Sequence, residues 1–290
     1  MDNELAELTR VAQAYDARHQ FISNIVWPAG AHIAVNLTVD FDAMLLRRLL
    51  NEPPMQLAKG EFGGRVGIWR LLELFESHNV KATIFTPGRI CELYPQSLRA
   101  AVRGGHEIAD HMWEHRVPKD AALEQDHLLK TVTALERIAG RRPVGTRSDH
   151  TRALLKREGF LYTSHDSAAQ LPYYISDDDT ADTTLLNLPF HYAIDDAMFF
   201  SFAWLGSGNA AQRITDPERV FEMWWAAFWQ QYRAGGYLNV VMHPFVSGRA
   251  LRIAMMDRLI AKMKTLPGVW FATCEEVARH CLAICPPRRG

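Results

Sequence analysis

A small set of side chains in this sequence has the types and spacing that chemistry at a bound metal ion requires. His111 and His115 stand four positions apart in Gly105-His106-Glu107-Ile108-Ala109-Asp110-His111-Met112-Trp113-Glu114-His115. On a helical turn they would share one face and could bind one ion. The third ligand must come from elsewhere, and Thr38-Val39-Asp40-Phe41-Asp42 offers it, where a run of β-formers ends in two acids separated by one residue. Carboxylates are disfavoured inside strands unless they are used. Asp42, His111 and His115 would make a two-histidine, one-carboxylate site with positions left open for water and substrate. A divalent ion there polarises a carbonyl oxygen and lowers the pKa of a bound water, which suits hydrolysis of an acyl C–N bond. Asp40 could take the water's proton as general base, and His243, in Met242-His243-Pro244, could protonate the leaving nitrogen. Such a division needs the two groups in opposite protonation states near neutrality. Arg147 could orient Asp40 by charge pairing. Singly, each residue has a plainer reading: a surface histidine pair, a strand-end histidine, a surface arginine. Their convergence carries the argument.

The elements that must position them alternate along the chain. A strand over 33–39 delivers Asp40 and Asp42 on one face and turns Phe41 to the core. Residues 43–64, polar and bearing Pro and Gly, read as a long loop. Helical periodicity covers 66–78, 89–102, 121–138 and 152–158, separated by strands over 81–86, 106–109, 143–146 and 160–163. The stretch 175–184 reads as a solvated loop, its Asp177-Asp178-Asp179 run a hydrated face rather than a metal site. After a strand over 185–189, Asp216-Pro217-Glu218 caps a helix that runs to Arg233 and turns Phe221, Trp224, Trp225 and Phe228 to the core. Gly235-Gly236 stops it. A strand over 237–242, a helix over 249–264 and a strand over 269–271 follow, and Thr273 with Glu276 forms a capping box for the last helix. Strands alternating with helices imply a parallel sheet, and about seven of them close into an α/β barrel. Asp40, Asp42, His111 and His243 then stand at or just past strand carboxyl ends, where barrel active sites sit.

Composition bounds the rest. With Lys+Arg 32 against Asp+Glu 33 in 290 residues, there is no electrostatic footprint for nucleic acid or an anionic membrane, so the expected partner is a small molecule. No apolar run reaches the length of a membrane span, and a cytoplasmic location is expected. Residues 1–26 form an arm, amphipathic through Leu5, Leu8, Val11 and Ala12, that lies on the body or on a neighbouring subunit. Residues 27–285 form one barrel domain and 286–290 a tail. Cys91, Cys274, Cys281 and Cys285 lack CxxC spacing and read as reduced packing residues.

At these residues the chain resembles the polysaccharide deacetylase (NodB-homology) family. Thr38-Val39-Asp40-Phe41-Asp42 is similar to its first motif, His111 to His115 to its second, and Val241-Met242-His243 to its late Leu-x-His motif. Met112 stands where a hydroxyl residue is common. The resemblance implies a distorted (β/α)7-type barrel, a NodB-like single domain with a helical arm. It implies Asp40 as base, His243 as acid with Arg147 beside them, and Asp42, His111 and His115 as ligands of a divalent metal, zinc being expected. Arg65-Val66-Gly67-Ile68-Trp69-Arg70, Gly159-Phe160-Leu161-Tyr162, Leu171-Pro172-Tyr173, Asp195-Asp196-Ala197 and His243-Pro244-Phe245-Val246-Ser247-Gly248-Arg249 resemble an intracellular branch. That branch includes peptidoglycan-deacetylase-like, cyclic imide hydrolase and allantoinase-like members, and implies a homo-oligomer, often a tetramer. Substrate contacts are expected from Arg65, Trp113, Asp149, His150 and Tyr173. Where the third motif usually reads Arg-x-Pro and then an aromatic wall, this chain has Arg147-Ser148-Asp149-His150. Asp149 and His150 are thus either specificity residues or a shortened polar loop. The leading expectation is a metal-dependent hydrolase of a small amide or cyclic imide. Its rivals are an N-deacetylase of amino sugars and a catalytically silent carbohydrate-binding or regulatory protein.

Overall fold

Among the described residues the chain forms ten strands: β1 His19–Phe21, β2 Ile33–Asp40, β3 Thr83–Thr86, β4 Glu107–Asp110, β5 Gly145–Thr146, β6 Tyr162–Thr163, β7 Tyr173–Ile175, β8 Leu185–Asn187, β9 Tyr237–Met242 and β10 Val269–Ala272. The computed structural model describes residues 2–49, 51, 54–177, 183–200 and 215–288. Strand β2 shows how the sequence builds the sheet. It is buried along its whole length, yet its two faces differ. Ile33, Val35, Leu37 and Val39 pack outward against Leu71, Phe75, Trp224 and Leu259 of the surrounding helices. Asn36, Thr38 and Asp40 are the intervening positions and line the interior. There Thr38 Oγ1 donates to Asn239 Oδ1 at 2.9 Å, and Tyr237 OH to Asn36 Oδ1 at 2.6 Å.

The parallel strands run in the order β9-β2-β3-β4-β5-β6-β8. Strand β10 shares one edge of β2 with β3, pairing Ile33 to Asn36 where β3 pairs Thr38 to Asp40. The free edge of β8 is taken by β7, antiparallel, and β7 in turn by β1. The barrel is therefore distorted. Between β8 and β9 the described residues place one bridge, Asp195 to Val241. That seam holds a cavity of about 450 Å³ between Tyr237 and Asn239 on one side and Pro189 and Ile194 on the other. The last helix, Cys274–Ile284, packs under the barrel with Val277, Ala278 and Cys281.

Several elements match their sequence signals. Asp216 caps the helix Pro217–Ala234, with its side chain accepting from Glu218 N–H, and Gly235 ends it in the left-handed region. The Thr273–Glu276 capping box is formed. Phe221, Trp224 and Phe228 are buried and Trp225 packs against the same core. All four cysteines are free. No helix among the described residues is long and apolar enough to cross a membrane.

Other expectations need correction. Residues 43–64 are largely helical: Leu45–Leu49 and Pro54–Phe62 precede a wider turn, Gly63–Gly67, where Ile68 N–H reaches back to Gly63 O, and the helix continues as Ile68–Ser77. The glycines that read as loop signals serve close packing instead. A Cβ on Gly60 would lie 2.4 Å from the Ala43 carbonyl oxygen, and one on Gly67 would lie 1.9 Å from that of Pro244. One helical run is thereby seated on the turn after Asp42 and on the turn after His243. The helix expected over 89–102 breaks at Pro95 into Ile90–Leu93 and Pro95–Arg103. Strands β1 and β7, three residues each, had no sequence signal of their own. The N-terminal helix, Asp2–Arg18, leaves Leu5, Leu8 and Val11 exposed, so its apolar stripe does not lie on the body of this chain. Asp177 binds the start of the helix Arg152–Arg157, accepting from Arg152 N–H at 2.6 Å. Asp178 and Asp179 lie outside the described residues.

Candidate active site

Period two carries Asp40 and Asp42 into the mouth of the barrel, with Phe41 turned outward and its N–H bonded to Phe85 O at 2.9 Å. Both acids are buried, Asp42 to 1 % exposure. Among the described residues its two carboxylate oxygens have no hydrogen-bond partner, and neither does Nε2 of His111. His111 Nε2 lies 3.4 Å and His115 Nε2 3.6 Å from Asp42 Oδ1. Unsatisfied buried oxygens facing two imidazole nitrogens are costly unless a cation joins them, so these three residues fit a divalent metal. Nδ1 of His111 donates to the Arg147 carbonyl at 2.5 Å. A carbonyl only accepts, which fixes the tautomer and leaves the Nε2 lone pair turned toward Asp42. Burial alone would raise the pKa of Asp42, but the neighbouring His115 and His111 outweigh it and hold the carboxylate well below its usual range.

The two histidines do not meet on a helix. Met112 and His115 have φ of 68° and 60°, so the chain turns sharply between them and brings the rings edge to face, 4.7 Å between centroids. Left-handed conformations in bulky residues are costly and persist where surroundings enforce them. Here Met112 N–H is held by Asp110 Oδ1 at 3.1 Å, and Gly88 and Arg89 N–H bind the Met112 and Trp113 carbonyls at 2.9 and 3.0 Å. Glu114 is gripped by Arg48 at 2.6 Å and Arg89 at 2.9 Å.

Arg147 joins the second half of the site. Its guanidinium lies between the rings of Phe85 and Phe190, 4.2 and 4.6 Å from their centroids. It donates to Ser164 O at 3.0 Å, Thr38 Oγ1 at 3.1 Å and Asp40 Oδ1 at 2.5 Å. Oδ1 of Asp40 is thus committed. Oδ2 faces the cavity, 4.0 Å from His111 Nε2 and 3.9 Å from His243 Nε2. His243 follows β9 and is gripped by Asp196, whose Oδ1 lies 2.7 Å from its Nδ1. Burial disfavours the imidazolium, but Asp196 and Asp195 outweigh it and push the pKa up to about 10. Asp195 is itself pushed up to about 7, by burial against the pull of His243. Asp40 and His243 therefore face one cavity from the ends of β2 and β9, with His243 favoured in its charged form.

That cavity measures about 540 Å³, with Asp40, His111, His115 and His243 in its lining. Of the expected substrate contacts it includes Asp149, which pairs with His165 at 2.5 Å. The others lie elsewhere. Arg65 is at the surface, paired with Glu61. Trp113 packs over Gly88 and beneath Arg89, facing a separate groove. His150 is buried against Glu124. Tyr173 is buried in β7 and donates to Asp166. Lining residues that sequence reasoning gave no role include Arg116, Lys119, His165, Phe190, Tyr192 and Asp195. The pair Asp195-Asp196 did stand out in the sequence as a resemblance, and that was the available signal for the partner of His243.

Fold and cluster together define an α/β barrel with a candidate metal centre flanked by an acid–base pair. The polysaccharide deacetylase family model matches residues 62–162. A polysaccharide deacetylase-family protein of Mycobacterium smegmatis, of known crystal structure, is 31% identical over 93% of this chain and 96% of its own, with a TM-score of 0.81. The crystal structure of the Puue allantoinase superposes with the same TM-score, 0.81, at 26% identity over 92% of this chain and 96% of its own. The peptidoglycan deacetylase of Helicobacter pylori is 27% identical, over 82% of this chain and 91% of its own. This chain belongs to the polysaccharide deacetylase family. It is accordingly a hydrolase of the class that acts on carbon–nitrogen bonds.

Proposed function

We propose that the chain is a zinc-dependent hydrolase of non-peptide C–N bonds, acting on a small amide or cyclic imide. The observation that carries the reading is the cavity of about 540 Å³ in which Asp40, His111, His115 and His243 converge with Phe190 and Tyr192. Its size is that of a small-molecule site. Asp42, His111 and His115 would hold the zinc, which supplies Lewis acidity toward the scissile carbonyl and toward water.

The protein's own groups do the rest. Arg147 holds Oδ1 of Asp40 and leaves Oδ2 to receive a proton from the attacking water. His243, charged through Asp196 and Asp195, presents Nε2 to the leaving nitrogen and protonates it as the C–N bond breaks. Asp196, bonded also to Ser247, keeps that ring in place. N-deacetylation of an amino sugar is the second reading, supported by the likeness to the Helicobacter pylori peptidoglycan deacetylase.

The test offers the zinc-loaded protein a cyclic imide and an N-acetylated amino-sugar oligomer under identical conditions. Ring opening without acetate release is the expected result, and acetate from the oligomer alone favours the second reading. Full turnover by Asp42→Ala or His111→Ala would sink both.

A further inference from the structure

Three acids and three arginine or lysine side chains line the cavity, but they are not matched pair by pair. Its acids are engaged: Asp40 with Arg147 at 2.5 Å, Asp149 with His165 at 2.5 Å, and Asp195 beside His243, 3.6 Å from Nδ1. Two cations in the same lining, Arg116 and Lys119, form no ion pair or side-chain hydrogen bond among the described residues, and both are exposed. They belong to Arg116-Val117-Pro118-Lys119, the segment that leaves the His115 turn. Both ends of that segment are fixed. His115 is held in its left-handed conformation beside Asp42, and Asp120 caps the helix Ala121–Ala139 by accepting from Ala122 and Leu123 N–H at 3.0 Å. Pro118 restricts the backbone between them. Two aromatic rings share the lining, Phe190 and Tyr192, edge to face at 5.7 Å between centroids.

We infer that Arg116 and Lys119 form an anion subsite, and that the substrate carries a carboxylate a few bonds from the scissile carbonyl. This assignment rests on the hydrolase reading above. Two unmatched cations at the mouth of a partly desolvated cavity attract an anion more strongly than they would on open surface. The carboxylate end of a small ligand is thereby drawn to the 116–119 wall while its amide end reaches the Asp40–His243 pair. A half-amide of a small dicarboxylic acid has this form: hydrolysis adds water across its C–N bond, turning the amide carbonyl into a second carboxylate and releasing ammonia, while the first carboxylate stays on the 116–119 wall.

Calorimetric titration of the metal-loaded protein at low ionic strength, with succinamate against neutral succinamide, tests the subsite. Succinamate is expected to bind about tenfold more tightly, and Arg116→Gln with Lys119→Gln to bring the ratio close to one. Added salt should compress the ratio in the wild type alone. Equal binding of the two ligands, or no measurable binding of succinamate, overturns the inference. A preference that survives the double substitution also overturns it, because the metal cluster would then be the anion's partner. Failure of the hydrolase reading looks different: neither a cyclic imide nor an acetylated sugar turns over, while the charge-dependent binding ratio persists.

Discussion

Asp196 binds His243 twice, through Oδ1 to the imidazole Nδ1 at 2.7 Å and through Oδ2 to the backbone N–H at 2.9 Å. The carboxylate thereby sets both the position of the ring and its charge. In Asp196→Asn the amide can keep one contact but loses the charge, so the pKa of His243 should fall from about 10 toward the ordinary histidine value. The alkaline limb of the pH–rate profile should shift to lower pH by the same amount, which NMR titration of His243 would report independently.

The same pair ties stability to pH. The folded-state pKa of His243 is raised, so its contribution to stability is complete below the unfolded-state value near 6.5 and is lost as pH rises through about 10. Urea unfolding of the wild type and of Asp196→Asn across that window should show the wild type losing its advantage at the alkaline end.

His106 works in the opposite direction. Burial pushes its pKa down to about 4, with Lys81 adding to the effect, and its Nδ1 accepts from Ala82 N–H at 3.0 Å. The neutral ring is required for that bond. Stability tied to His106 is therefore present above pH 6.5 or so and is lost as pH falls toward 4. Equilibrium unfolding between those limits should be flatter in His106→Gln than in the wild type.

Arg147 separates two functions in one residue. Its side chain holds Asp40, whereas its backbone carbonyl orients His111. Arg147→Lys should cut turnover by roughly a hundredfold, because a single ammonium cannot reproduce the contacts to Asp40, Thr38 and Ser164. Bound metal, read by atomic emission, should stay at the wild-type stoichiometry. Metal loss in this variant would contradict the backbone role.

Chelation should destabilise the protein, since the Asp42 oxygens and His111 Nε2 then have no partner. Thermal unfolding with and without zinc is expected to differ by several degrees in the wild type. In Asp42→Ala the two curves should coincide.

The sequence made legible what local pattern encodes. Alternation along β2 put Asp40 and Asp42 on the interior face, and strand ends placed His111 and His243 at the same rim. The helix Pro217–Ala234 carried its own start and stop. What escaped was non-local. The glycines at 60 and 67 exist because other backbone passes against them, which no local pattern records. The left-handed Met112 and His115 are held by contacts to Asp110, Gly88 and Arg89, so a spacing typical of a helix describes a turn. The cavity wall formed by Phe190, Tyr192 and His165 comes from loops whose placement depends on the assembled barrel.

Among the described residues, the seam between β8 and β9 leaves the barrel a clamp rather than a closed ring. Asp40 and His111 sit on its stiff arc, where β2, β3 and β4 are paired without interruption. His243 follows the strand beside that seam, which is tied to β2 on one edge and, among the described residues, by one bridge from Val241 to Asp195 on the other. The candidate metal cluster thus sits where the frame resists deformation, and the proposed proton donor where the frame can flex. Hydrogen exchange should reveal this lopsidedness as faster opening of the seam-facing amides of β9 than of the amides shared by β3 and β4.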